Sequence, residues 1–181
     1  YIDIGAQSKE EALSMVKLGD MCVMKPRVTK LGENRMASPA MDDRIACFVQ
    51  AQALLELEEG SKNEIVAVFS VQEEVGLRGA QAATIAIQPD FSFALDVTIA
   101  FDTPGSGAHD KCTVLGKGTA VKVYDGTLIT DPRMVKFMTA LCQESEIPYQ
   151  LELLAAGGTD AGAMQKFTAG GSITGAISIP V

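Results

Sequence analysis

The chain has 181 residues, with 15 basic and 23 acidic side chains, so its formal charge is −8 with the single His neutral. Apolar residues make up 47% and charged residues 21%, which provides for a packed core and excludes a disordered chain. The acidic balance excludes a nucleic-acid binder, which needs a basic face for phosphates, and argues against an anionic membrane surface.

In chain order, Ser8-Lys9-Glu10-Glu11 reads as a capping box and predicts a helix over Lys9–Lys17, stopped by Gly19. Met21–Lys25 alternates weakly and predicts a strand, whereas Pro26–Pro39 reads as irregular. From Asp42, the residues Ile45, Phe48, Val49, Leu54, Leu55 and Leu57 recur near helical spacing and predict a helix reaching Gly60. Glu64–Val71 is almost continuously apolar and predicts a strand buried on both faces. Gly79–Ile87 predicts a helix, and Phe91–Val97 and Thr119–Tyr124 predict strands. Asp131-Pro132 opens a helix running to Glu146, with Asp as N-cap and Pro at the first position. Met134, Phe137, Met138 and Leu141 form its expected core stripe. Tyr149–Leu154 is a strand, Thr159–Phe167 a helix and Ile173–Ile179 a last strand.

Helices and apolar strands alternate from Asp42 onward. That order predicts an α/β fold, a largely parallel or mixed sheet with helices on both faces. One domain boundary is expected, where the composition shifts near residues 35–40. No apolar run approaches the roughly 18–20 residues that span a bilayer. The start lacks the pattern of a signal peptide. Cysteines at 22, 47, 112 and 142 lack close spacing and read as reduced thiols of a cytoplasmic protein, packed as small apolar residues. The chain opens at Tyr1, not Met, and closes straight after a strand pattern, so a piece of a longer protein is expected.

Three acidic clusters fall at strand ends or at a loop-to-helix junction, where ligands of α/β sheets gather. Asp42-Asp43 opens the first long helix, Glu73-Glu74 follows the strand ending at Val71, and Asp96 closes the strand from Phe91, with Asp102 beyond. The plain reading is solvated loop acids, one of them paired with Arg44 or Arg78. The sharper reading is a metal site, because convergent carboxylates repel and coexist around a divalent cation. Successive side chains of an extended segment face opposite ways, so Glu73 and Glu74 can deliver a general base and a ligand to one site.

Asp42-Asp43-Arg44, then Val71-Gln72-Glu73-Glu74-Val75-Gly76-Leu77-Arg78-Gly79-Ala80, then Ala94-Leu95-Asp96-Val97-Thr98, then Gly157-Gly158-Thr159-Asp160-Ala161-Gly162 stand in a fixed order. With Ile2-Asp3-Ile4-Gly5-Ala6 ahead of them, the chain resembles, over nearly its whole length, the glutamyl or tetrahedral aminopeptidases, a family of dinuclear metallopeptidases some of whose members carry a cellulase label.

The resemblance implies a three-layer catalytic domain at residues 36–181 and, at 1–35, the end of a small β-rich inserted domain used in assembly. It implies two divalent ions per subunit, usually zinc or cobalt. Asp42 would bridge them, with Asp43 the alternative, and Glu74 and Asp96 would each bind one. Glu73 would be the general base, and Thr159 and Asp160 would line the substrate side. Peptides would be the substrates, and homo-oligomers, often dodecamers, the assembly. Two further family ligands are histidines, in a His-x-Asp motif and in an Arg-Tyr-Ile-His-like motif. Neither motif occurs here, and His109 matches no ligand position. The competing functions are a degenerate or purely structural assembly paralogue and a glycoside hydrolase. Adjacent Glu73 and Glu74 suit the latter poorly, since its two carboxylates must flank a sugar. The chain also has no Trp to stack on one.

Overall fold

A computed structural model describes residues 2–57 and 61–181. Two compact units are present, Tyr1–Pro39 and Ala40–Val181.

In the first unit, helix α1 spans Lys9–Met15. Ser8 Oγ accepts from the Glu11 amide at 3.1 Å. The Glu11 carboxylate reaches one residue further back than a capping box requires and accepts from the Gln7 amide at 2.8 Å. The helix stops short of Lys17 because Val16 is extended and the Lys17 amide donates to Asp20 Oδ2 instead, at 2.8 Å. The expected strand at Met21–Lys25 is not formed; Met21 is 94% exposed and nothing pairs with the segment among the described residues. A hairpin forms instead inside the stretch read as irregular, with β1 at Thr29–Leu31 antiparallel to β2 at Arg35–Ala37. Alternation without a partner strand does not make a strand, and a short loop that returns the chain supplies one.

The second unit holds helix α2 (Met41–Leu55), α3 (Arg78–Ile87), strand β3 (Phe91–Thr98), β4 (Thr119–Tyr124), α4 (Pro132–Glu144), β5 (Tyr149–Leu153), α5 (Asp160–Phe167) and β6 (Ile173–Pro180). The sheet order is β3-β6-β4-β5. The outer pairs β3/β6 and β4/β5 are parallel and the central pair β4/β6 is antiparallel. The sheet is therefore mixed and mostly parallel, as expected.

Side chains of β6 alternate between two cores. Ala176 packs with Ala94, Leu128 and Ala161 against Met164 of α5. Ile173 and Ile177 pack with Val121, Met134 and Met138 beneath α4. Helices thus cover both faces, which gives three layers. At Gly175 a Cβ would come within 2.6 Å of Met134 Cγ, so α4 can sit this close only over a glycine. Helix α4 buries Met134, Met138 and Cys142, four residues apart, while Phe137 and Leu141 of the expected stripe are exposed. The contact face is narrower than the apolar pattern, because the flanking apolar positions point past the sheet. All four cysteines are free, and Cys142 alone is buried; Cys112 is half-buried, and Cys22 and Cys47 are exposed, against the expectation of core packing.

Glu64–Val71 is not a buried strand. It forms no sheet ladder among the described residues, and Ile65, Val66 and Phe69 are each about half exposed. Apolar content gave it strand propensity, but a ladder needs a neighbour, and here α2 tethers it through Gln50 Nε2 donating to Val68 O at 3.2 Å. Gly60, the expected end of α2, lies outside the described residues. No described helix is long and apolar enough to cross a membrane.

Candidate metal centre and active site

Strand β3 carries Ala94 into the core beneath α5, and Asp96, two residues on, faces the same side. The first turn of α2 is irregular. Asp42 (φ −82°, ψ 109°) and Asp43 (φ −122°, ψ 44°) depart from helical geometry. Their carboxylates come to Asp96, and one oxygen of each of the three lies within 4.8 Å of the others. Asp43 Oδ1 also accepts from the Ala46 amide at 3.3 Å, which caps the regular part of α2.

Glu73 and Glu74 sit on a single 3₁₀ turn, Glu73–Val75, between Gln72 and Leu77, both left-handed at φ 58° and 57°. Gly79 closes this turn, its amide donating to Val71 O at 2.9 Å. A Cβ there would lie 2.5 Å from the Val71 backbone, so the glycine of the motif is required by close approach. Thr159 caps α5 in extended conformation and Asp160 is its first residue. Ser70 Oγ, just before the turn, donates to Asp160 Oδ2.

Asp42, Asp43, Glu73, Glu74 and Asp96 line one concavity of about 300 Å³ together with Thr159 and Asp160. Every site residue read from the sequence is therefore at this place. Glu74 is exposed and lies outside the tight group of three. Asp102 is not among the residues lining it. His109 lines a separate concavity of about 670 Å³ with Phe101 and Leu153, and lies 3.4 Å from Asp110.

Among the described residues, no Lys or Arg forms an ion pair with any of these acids; Arg44 and Arg78 do not take the part the plain reading gave them. Burial pushes Asp43 up to about 7, and repulsion from Asp96 adds to it against the Ala46 amide. Burial also pushes Glu73 up to about 7, with Asp96, Asp160 and Glu74 adding repulsion. Asp96 rises to about 6 by burial, opposed by the Val97 amide, the nearby Thr159 hydroxyl and the charge of Lys122. Asp160 is raised by burial and lowered in part by Ser70. Asp42 and Glu74 are exposed, while Asp43, Glu73 and Asp96 are partly desolvated like charges without an ion-paired Lys or Arg among the described residues. A divalent ion stabilises such a group, and the oxygen donors present suit one.

Sequence reading missed the supports. Lys122 Nζ donates to Glu152 Oε1 and lies 3.6 Å from Asp125 Oδ2, all three side chains being almost fully buried. Thr98 Oγ1 donates to Glu152 Oε1 at 2.8 Å. Asp125 Oδ1 accepts from the amides of Thr127 at 2.7 Å and Leu128 at 2.8 Å. Thr127 then packs on Gly158 and Gly162, where a Cβ would come within 2.4 and 2.5 Å of its side chain. The glycines before and within α5 make room for Thr127. The only signal in the sequence was a charge inside an apolar strand at Lys122 and Glu152; their pairing appears once Lys122 is found opposite Glu152.

The family model of the M42 glutamyl aminopeptidases matches residues 1–181, the whole chain. The chain belongs to this family. The lysyl aminopeptidase of Pyrococcus furiosus is 38% identical over 99% of this chain and 51% of its own length. Among solved structures, an aminopeptidase from Desulfurococcus kamchatkensis superposes with a TM-score of 0.88 at 41% identity, over 98% of this chain and 50% of that one. The TET1 peptidase of Pyrococcus horikoshii, described as able to assemble into a tetrahedron or a large octahedral shell, gives 0.78 at 32% identity, over 98% and 51%. The chain spans about half the length of the curated relatives it matches.

Proposed function

We propose that the protein carrying this chain is a metal-dependent aminopeptidase that removes N-terminal residues from peptides. One observation carries the reading: convergent carboxylates, of which Asp43, Glu73 and Asp96 are partly desolvated, share one concavity, and no Lys or Arg forms an ion pair with them among the described residues. Family membership supports it, as do relatives named aminopeptidases.

In this reading Asp42, with Asp43 the alternative, and Asp96 and Glu74 would hold two divalent ions, zinc or cobalt. When bound, the ions supply Lewis-acid polarisation of the scissile carbonyl and make water acidic. Glu73 takes a proton from the attacking water and returns it to the leaving amine. Its half-buried carboxyl, pushed up to about 7, suits proton transfer near neutral pH. The irregular start of α2 and the tight turn at Glu73–Val75 hold these groups on rigid elements rather than on long loops.

The oligomer is proposed from likeness: a homo-oligomer, of which the TET1 shell is one form. The four free cysteines support a cytoplasmic setting. The deciding experiment is metal analysis of the full-length protein, with hydrolysis of amino-acyl amides measured before and after chelation. Loss of turnover on chelation and its return with zinc or cobalt are expected. Turnover that ignores a chelator overturns the reading.

A further inference from the structure

Two buried hydroxyls beside Asp96 have no hydrogen-bond partner: Ser178 Oγ and Thr159 Oγ1, on residues 0% and 1% exposed. Ser178 stands on β6 in register with Asp96 on the parallel strand β3, so the two side chains leave the same face of the sheet. The row continues through Ala120 on β4 to Gln150 on β5. Alanine offers nothing polar, and Gln150 spends its amide on Val114 and Gly118. The polar side chain left beside Ser178 in that row is Asp96. Thr159 comes from α5, which packs on this face. It is the N-cap of α5, yet its hydroxyl bonds no amide of the helix. The residue is tied down through its backbone: its carbonyl accepts from the Gly162 amide at 2.9 Å, and its amide donates to Thr127 Oγ1 at 3.4 Å. The hydroxyl, free of capping, approaches Asp96 in their shared concavity without closing a bond of normal geometry.

Buried polar atoms are nearly always satisfied, so two idle hydroxyls flanking one carboxylate describe an arrangement still incomplete. Each hydroxyl has a proton to donate, and an ionised carboxylate accepts through about four lone-pair sites. One oxygen of Asp96 already takes the Val97 amide at 2.7 Å. The remaining sites serve an ion and the two hydroxyls together. A carboxylate that ligates a metal is itself held by hydrogen bonds, because these set its orientation toward the ion. We propose that Ser178 and Thr159 are positioning residues for Asp96: with the ion bound, their hydroxyls donate to its carboxylate and fix the oxygen it presents. Ser178 is wholly buried and is not among the residues lining the concavity, so it acts from behind the ligand, where no substrate reaches. This inference rests on the metallopeptidase reading and goes past the ligands to what aims one of them. A trapped water would satisfy the hydroxyls alike with or without an ion, and the experiment separates the two.

The test uses the full-length protein, stripped of metal and titrated with zinc against a chromogenic chelator. Ser178→Ala and Thr159→Val each weaken zinc binding roughly 10- to 100-fold, the range for losing a hydrogen bond to a metal ligand. Thr159→Ser keeps the hydroxyl and restores the wild-type affinity. The melting temperature of the metal-free protein does not fall in Ser178→Ala or Thr159→Val, because neither hydroxyl makes a bond there that could be lost. A purely structural role gives the reverse, a lower metal-free melting temperature with zinc affinity intact. Wild-type zinc affinity in both Ser178→Ala and Thr159→Val overturns the proposal, and so does a loss that Thr159→Ser shares. If Ser178→Ala does not fold, the two Thr159 variants decide. If the wild type itself binds neither zinc nor cobalt, the metallopeptidase reading has failed; if it binds them and the variants bind them equally well, only the role of Ser178 and Thr159 falls.

Discussion

Glu73 and Glu74 are neighbours in different surroundings. Glu73 is half-buried and pushed up to about 7 by desolvation and by the acids facing it, whereas Glu74, which lines the same concavity, is exposed. A group with a near-neutral pKa can gain and lose a proton in turnover. Replacing Glu73 with Gln in the full-length protein is expected to keep metal stoichiometry and to cost roughly 10²-fold or more in kcat. Near-normal turnover with full metal would remove Glu73 from the chemistry. Asp96 separates the two kinds of effect from the other side. It belongs to the group whose oxygens lie within 4.8 Å of one another, so Asp96→Asn should lower bound metal in elemental analysis. Glu74→Ala should do the same; unchanged stoichiometry in both variants would mean that neither is a ligand. At this scale the sequence was highly informative, because the acids follow the motifs in order. Ser70 was not legible, since one serine before a turn looks like any other until Asp160 is found beside it.

At the scale of elements, legibility followed whether a segment carries its own partner. Strand β4, β5 and β6 were readable because their apolar runs meet one another in a sheet. Helix α4 was readable from the Asp131 cap, whose Oδ1 accepts from the Arg133 amide at 2.9 Å. Glu64–Val71 has the same apolar character but no ladder among the described residues, and Thr29–Ala37 has little of it yet pairs. Pairing is a property of two segments, and periodicity describes one. The Lys122–Glu152 pair shows the same limit: it spans β4 and β5, and only their parallel register puts Lys122 opposite Glu152. Breaking such a buried pair from one side leaves an uncompensated charge. Lys122→Met should therefore destabilise the protein by about 3–5 kcal/mol in urea unfolding. Lys122→Met combined with Glu152→Met should recover only part of that loss, because Asp125, 3.6 Å from Lys122 Nζ, stays buried without a cation and the Thr98 hydroxyl loses its acceptor. A single variant with wild-type stability would mean that the pair is not held in the core.

For the whole molecule, the acids of the concavity act together on stability, and their sign can be worked out. Asp43 and Glu73 are raised to about 7, Asp96 to about 6, and Asp160 is raised as well, all chiefly by burial. Their ordinary values are 3.8 for Asp and 4.5 for Glu. Between those values and about 7, the folded, metal-free protein binds more protons than the unfolded chain. Stability therefore falls as pH rises through this window, because the slope follows the protons bound by the unfolded state minus those bound by the folded state. Asp131 works in the opposite sense, but Arg133 holds it down at about 2, so its contribution is complete before the window opens. Metal-free protein should melt at a higher temperature at pH 5 than at pH 8, with little further change above that. A divalent cation reverses the trend, since it binds the ionised acids and stabilises the fold in proportion to its occupancy. Added zinc or cobalt should raise the melting temperature strongly at pH 8 and weakly at pH 5. A metal-free protein that gains stability from pH 5 to pH 8 would show that these acids do not face one another in a desolvated cavity.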